Sequence, residues 1–191
     1  MTRRTKATLG GIAVVTIVII VGCAIMLRHG FSAHDEPTAI ERIAARTARH
    51  WAVPADLRRV KNPVPLAPQV LAEGRAHFAD HCAICHGNDG KGKSGMGTQM
   101  YPRTPDMTLA ATQTLSDGEI FSIIENGVRL TGMPGFGSGT AESAYESWSL
   151  VHFIRHMPKL TPAELAEMEK LNPKSPEEWE QMQFLEGSDP R

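Results

Sequence analysis

The chain has 191 residues, 20 Lys+Arg against 21 Asp+Glu, 41% hydrophobic residues and 6% aromatics. That length holds one domain of ordinary size plus appendages, and a net charge of -1 with no basic excess excludes a nucleic-acid binder. Three cysteines exclude a disulfide-stapled scaffold, so the chemistry rests on a small site or on something the chain carries.

Residues 1–8 form a basic tail with Arg3, Arg4 and Lys6 and no acid. Leu9 to Leu27 contains no charged residue; as a helix this run spans roughly 28 Å, the thickness of bilayer hydrocarbon. The tail ahead of it favours a cytoplasmic N-terminus and export of everything that follows. Three fates are open to residues 9–27. An uncleaved transmembrane anchor is preferred, because the apolar run continues to Leu27. Ile20-Val21-Gly22-Cys23 also resembles a lipoprotein cleavage box, which would lipidate Cys23. Removal as an ordinary signal peptide is the third.

Residues 28–62 hold seven basic and four acidic residues. Within them Glu36 to Trp51 reads as an amphipathic helix, with Ile40, Ile43, Ala44, Thr47 and Trp51 on one stripe. The stripe suits either a membrane surface or the following domain, and packing on the domain is preferred. Val53 to Pro68, with Pro54, Pro63, Pro65 and Pro68, reads as an extended linker that closes the 28–68 segment.

Gln69 to His81 and Thr140 to His156 read as helices. Ser116-Asp117-Gly118-Glu119, Thr161-Pro162-Ala163-Glu164 and Ser175-Pro176-Glu177-Glu178 match the capping box and mark three more helix starts. Glycine-rich stretches at 87–97 and 132–139 lie between them. No alternating pattern longer than about four residues argues for a strand, so the expected fold is all-α. Residues 69–158 form the main domain, and the acidic extension 159–191 is expected to be a solvated helical appendage.

Cys82-Ala83-Ile84-Cys85-His86 is C-x-x-C-H, the attachment signature of a c-type haem. Two thiols about one helical turn apart can bond the two vinyl groups on one porphyrin edge. His86 then brings an imidazole nitrogen under the iron. A structural zinc site would need a second ligand pair at suitable spacing, and a thioredoxin-like dithiol would need a βαβ setting. A plain Cys82–Cys85 disulfide would not explain His86.

The sixth ligand is expected to be Met133, in Gly132-Met133-Pro134-Gly135, where glycines let the backbone approach a porphyrin face. A thioether is a soft ligand that raises the reduction potential. Met96, Met100 and Met107 are its rivals. His81 sits on the haem helix and cannot reach the opposite face. His152 and His156, a turn apart on the last long helix, are the candidates for bis-His ligation, whereas His29, His34, His50 and His77 have no supporting pattern.

On these residues the chain resembles the small monohaem class I cytochromes c, in particular membrane-attached bacterial ones of the respiratory-chain type. The resemblance covers about residues 69–158 and rests on Cys82-Ala83-Ile84-Cys85-His86-Gly87, on Gly132-Met133-Pro134 and on two helices. It implies a cytochrome c fold, helices wrapped around one covalently attached haem c, with Cys82 and Cys85 as thioethers and His86 and Met133 as axial ligands. It implies that the first and last helices of the domain cross, Gly74 and Phe78 meeting Trp148, Val151 and Ile154. It implies that His86 donates its other ring N–H to a proline carbonyl, Pro102 or Pro105, with Pro102 preferred. Tyr101, Arg103 and Arg129 are the candidates to satisfy haem propionates, Arg129 foremost.

The expected function is that of a single-electron carrier and not an enzyme, with no catalytic residue and no small-molecule substrate of its own. It is expected in the cell inner membrane as a single-pass protein, its haem domain facing the periplasm or cell exterior. Its expected partners are respiratory complexes or other redox proteins. Two alternatives stand beside this: a haem-bearing subunit of a larger oxidoreductase, and an open-site haem with peroxide or gas-binding chemistry.

Overall fold

A long apolar run without charges has one stable backbone in an apolar solvent, a helix that bonds its own amides. The computed structural model, which describes residues 2–29 and 32–174, has that helix as α1, Arg3–His29. The third capping box, at Ser175, lies outside the described residues. Every regular element among the described residues is helical. They fall into two compact units, divided between Asp35 and Glu36. The first is α1 itself, whose apolar side chains lie on its surface, Val18 65% and Leu27 68% exposed.

The second unit opens with α2, Ala39–Ala52. Thr38 caps it reciprocally with Glu41: the Glu41 N–H donates to the Thr38 hydroxyl at 3.3 Å and the Thr38 N–H to the Glu41 carboxylate at 2.7 Å. The proline-rich stretch after it is not a free linker. Val53 is buried, Leu57–Arg59 forms a short 3₁₀ turn, and Asn62 Nδ2 donates to the Trp148 carbonyl at 2.8 Å. One short turn closes on itself, Arg58 N–H donating to the Pro54 carbonyl and Val60 N–H to the Leu57 carbonyl, each at 3.0 Å, while the Asn62 N–H donates to Asp117 at 3.2 Å and the Val64 carbonyl meets His152 at 2.7 Å.

Helix α3, Pro68–His77, starts with proline at its first turn and runs through a wide π turn, Phe78–Cys82, into α4, Ala83–His86. The helix expected over Gln69–His81 thus delivers the chain directly to the haem motif. Next come α5, Ala110–Gln113, and α6, Asp117–Asn126, the latter opened by the expected Ser116/Glu119 capping box. Helix α7, Ala141–His156, starts where Thr140 accepts from the Ser143 N–H at 3.2 Å.

Helices α3 and α7 cross at Gly74, where a Cβ would collide with the Ser149 carbonyl and press on Phe153 Cβ. Phe78 and Phe153 meet one turn on, ring centroids 5.2 Å apart. The crossing stripe on α7 is therefore Ser149 and Phe153. Trp148, Val151 and Ile154 are buried as expected, but Trp148 stacks on Phe121 of α6 at 4.1 Å. Arg155 ties α7 to the α5–α6 connection, its guanidinium donating to Asp117 at 2.8 and 3.0 Å, to the Gln113 carbonyl at 2.8 Å and to the Leu115 carbonyl.

Helix α8, Pro162–Leu171, carries the expected Thr161/Glu164 capping box. It is not a solvated appendage: Met168 is fully buried in the core cluster, and Arg75 of α3 pairs with Glu164 at 3.4 Å and Glu167 at 2.7 Å. A single methionine on an acidic helix is a weak sequence signal, and it suffices here because Arg75 neutralises the acids beside it.

Candidate haem site

The π turn widens the helix just ahead of the C-x-x-C-H motif, and α4 supplies the single turn that brings its residues together. Gly87 then ends the helix at φ 71°, a left-handed conformation that a side chain would disfavour. The glycine-rich stretch 87–97 folds back over the motif: Gly92 N–H donates to the His86 carbonyl at 2.8 Å. The Ser94 hydroxyl meets the carbonyls of Ile84 and Cys85 at 2.7 and 2.8 Å, satisfying acceptors the short helix leaves open. Gly97 packs so closely on the Cys85 carbonyl that a Cβ there would overlap it. Sequence reasoning missed Ser94, because any small polar residue in such a loop looks alike until the backbone is placed.

Cys82 and Cys85 are free thiols. Burial pushes the Cys82 thiol up to about 12, with the neighbouring Cys85 adding to the shift. Dithiols poised for exchange have a depressed thiol pKa, the opposite direction. The His86 ring is 9% exposed, tilted against Phe78 with centroids 6.2 Å apart. Burial pulls its pKa down to about 4, so at neutral pH the ring is uncharged and keeps a lone pair, the form that binds a metal.

His86 Nδ1 is buried without a hydrogen-bond partner. The expected bond from this ring to the Pro102 carbonyl is thus not made. Pro102 follows a cis peptide bond from Tyr101 and lies exposed, as does Pro105. Two free thiols and a buried neutral imidazole with an orphaned nitrogen, all within five residues, fit a covalently attached haem.

Met133 sits half-buried in a loop stitched to the end of α6. Its N–H donates to the Thr131 hydroxyl at 3.1 Å, its carbonyl accepts from Val128 at 3.0 Å, and Phe136 N–H reaches the Ile124 carbonyl at 2.9 Å. Gly127, at φ 66°, lies where a Cβ would run into the backbone of 133–135. Arg129 is exposed on this loop.

The rival methionines separate. Met107 is buried in the core cluster. Met96 Sδ lies 3.6 Å from Cys85 Sγ. Met100 Sδ would stand 2.6 Å from a Cβ on Gly132, immediately beside Met133, and accepts from the Thr104 hydroxyl at 3.8 Å. Met100 is therefore the nearest rival to Met133 in this loop.

Several histidines have other work. His152 Nε2 contacts the Val64 carbonyl at 2.7 Å, His156 Nε2 the Glu164 carboxylate at 2.8 Å and His50 Nδ1 the Glu119 carboxylate at 2.7 Å. His81 pairs with Asp80 at 3.1 Å and stacks on His77. Tyr101 and Arg103 engage the α2 segment, through Glu41 at 3.2 Å and Glu36 at 3.0 Å.

An all-helical domain with C-x-x-C-H at the end of its first helix defines the class of the c-type cytochromes. Residues 69–154 match the family described as cytochrome c oxidase, cbb3-type, subunit III, and this part of the chain is a cytochrome c domain. Such a domain implies haem c and electron transfer. Among solved structures the chain is similar to a component of the reducing HAO-like protein complex of Kuenenia stuttgartiensis. That match has 21% identity and a TM-score of 0.43, and covers 51% of this chain and 49% of the other. No curated protein matches the chain.

Proposed function

We propose that the protein is a membrane-tethered carrier of single electrons, holding one haem c through Cys82 and Cys85 with His86 and Met133 as axial ligands. The observation that carries this reading is the buried His86 ring, its Nδ1 unbonded, directly after two free thiols. The haem, when bound, supplies a reversible Fe(III)/Fe(II) couple.

The chain's residues do the rest. The two cysteines fix the group covalently, and the neutral imidazole and the soft thioether favour the reduced state, raising the potential. Phe78 and the core behind it keep water from the His86 face. Arg129, four residues before Met133, is the propionate partner. Residues 9–27 tether the domain at the outer face of the inner membrane. That confinement raises its effective concentration at respiratory complexes embedded there.

The test is the ferric optical spectrum of the holoprotein beside Met133→Ala and Met100→Ala. The weak long-wavelength sulfur-to-iron band is expected in wild type and Met100→Ala and absent in Met133→Ala, whose potential falls. The reverse pattern would make Met100 the ligand. A wild type without the band whose ferrous form binds CO readily would replace the carrier with an open-site haem. The matched family's description favours a second reading, a haem subunit of an oxidase. Haem staining of mild-detergent extracts on a native gel separates the two: a carrier migrates alone, a subunit with its complex.

A further inference from the structure

Helix α2 is mounted the wrong way round for water. None of its residues is buried, and its apolar stripe faces outward: Ile40 is 79%, Ile43 67% and Trp51 77% exposed. The face turned to the domain is the polar one. His50 pairs with Glu119, Arg58 donates to the His50 carbonyl at 2.6 Å, and Glu41 accepts from Tyr101. Arg46 and Arg49 line a cavity of about 220 Å³ on this same side, against Thr114 and Leu115 of the domain. A helix placed between an aqueous domain surface and water would turn its isoleucines inward. The preference for packing the stripe on the domain is thereby reversed.

We propose that α2 lies in the interfacial layer of the bilayer, with Ile40, Ile43, Thr47 and Trp51 in lipid. Two further observations single out this occupant. First, α1 ends at His29 and α2 begins at Ala39, so the ten chain steps between them cannot exceed about 35 Å. Second, α2 carries Arg42, Arg46 and Arg49 against Glu41 alone, a positive balance that suits anionic headgroups. A tryptophan at the helix end belongs at the same depth. The docking rests on the reading of α1 as a retained anchor.

The test uses the full-length holoprotein, kept oxidised, in nanodiscs of phosphatidylcholine and phosphatidylglycerol, each label read against its own sample without added reagent so that any haem contribution cancels. Cys23→Ser removes the native label site, and Ile43→Cys or Ala45→Cys carries a nitroxide. The label at position 43 is expected to be several-fold more accessible to oxygen, which enters lipid, than to a water-soluble nickel chelate, with the opposite ratio at position 45. Equal nickel access at 43 and 45 overturns the docking while leaving the anchor intact. Shielding of position 43 from both reagents also overturns it, since a protein surface then covers the stripe. A chain that separates from the discs overturns the retained anchor, and the docking with it.

Discussion

A missing side chain at position 74 decides how closely α3 and α7 approach. Replacing Gly74 with alanine forces its Cβ into the Ser149 carbonyl. The expected cost is about 1–3 kcal/mol, read as a lower melting temperature of the holoprotein. Gly95→Ala, where a Cβ meets nothing within 4 Å, is the matched control and should leave that temperature unchanged. The glycine was legible in the sequence as a crossing residue, but its partner was not. Serine reads as surface, and Ser149 is buried only because its hydroxyl bonds the Tyr145 carbonyl of its own helix at 2.9 Å. The site divides in the same way. Cys82, Cys85 and His86 stand out because their spacing is itself the chemistry. Met100 did not stand out as the closest rival to Met133, since its place beside Gly132 depends on a loop fold that no periodicity encodes.

Elements with local signals could be read well. The boxes at Ser116 and Thr161 open α6 and α8, whereas the box at Thr38 was hidden in a helix expected to begin at Glu36. The π turn at Phe78–Cys82 has no sequence signal, because it shifts a hydrogen bond without changing a residue pattern. The cap of α8 also sets its pH response. Burial alone would raise the Glu164 carboxyl, but hydrogen bonds from the Thr161 N–H and hydroxyl, and then His156, bring it from 4.5 down to about 2. A depressed carboxylate stabilises the fold fully above its unfolded pKa and ceases to as pH falls through the folded value. Wild type should therefore lose denaturant resistance between pH 4.5 and about 2, and Glu164→Gln should show a flatter profile across that window.

At the scale of the molecule, the unit that folds is larger than the unit that matches. The match ends at 154, yet Met157 and Met168 are both buried in the core, and Arg75 finds two of its partners on α8. A chain stopped at 158 should lose about 2–5 kcal/mol relative to the full chain, measured by urea unfolding of the holoprotein; Met168→Ala should reproduce most of that loss. The strap before α3 extends the unit in the other direction, since Asn62 bonds Trp148 and Val64 bonds His152. The strap and α8 therefore act as fixed end-pieces of a haem cassette. A recombination event that cut at the edges of the recognisable motif would strip away both, taking Asn62 from the Trp148 carbonyl and both glutamates from Arg75. Inheritance of this cassette as a transferable part is thus constrained by residues that carry no haem chemistry at all.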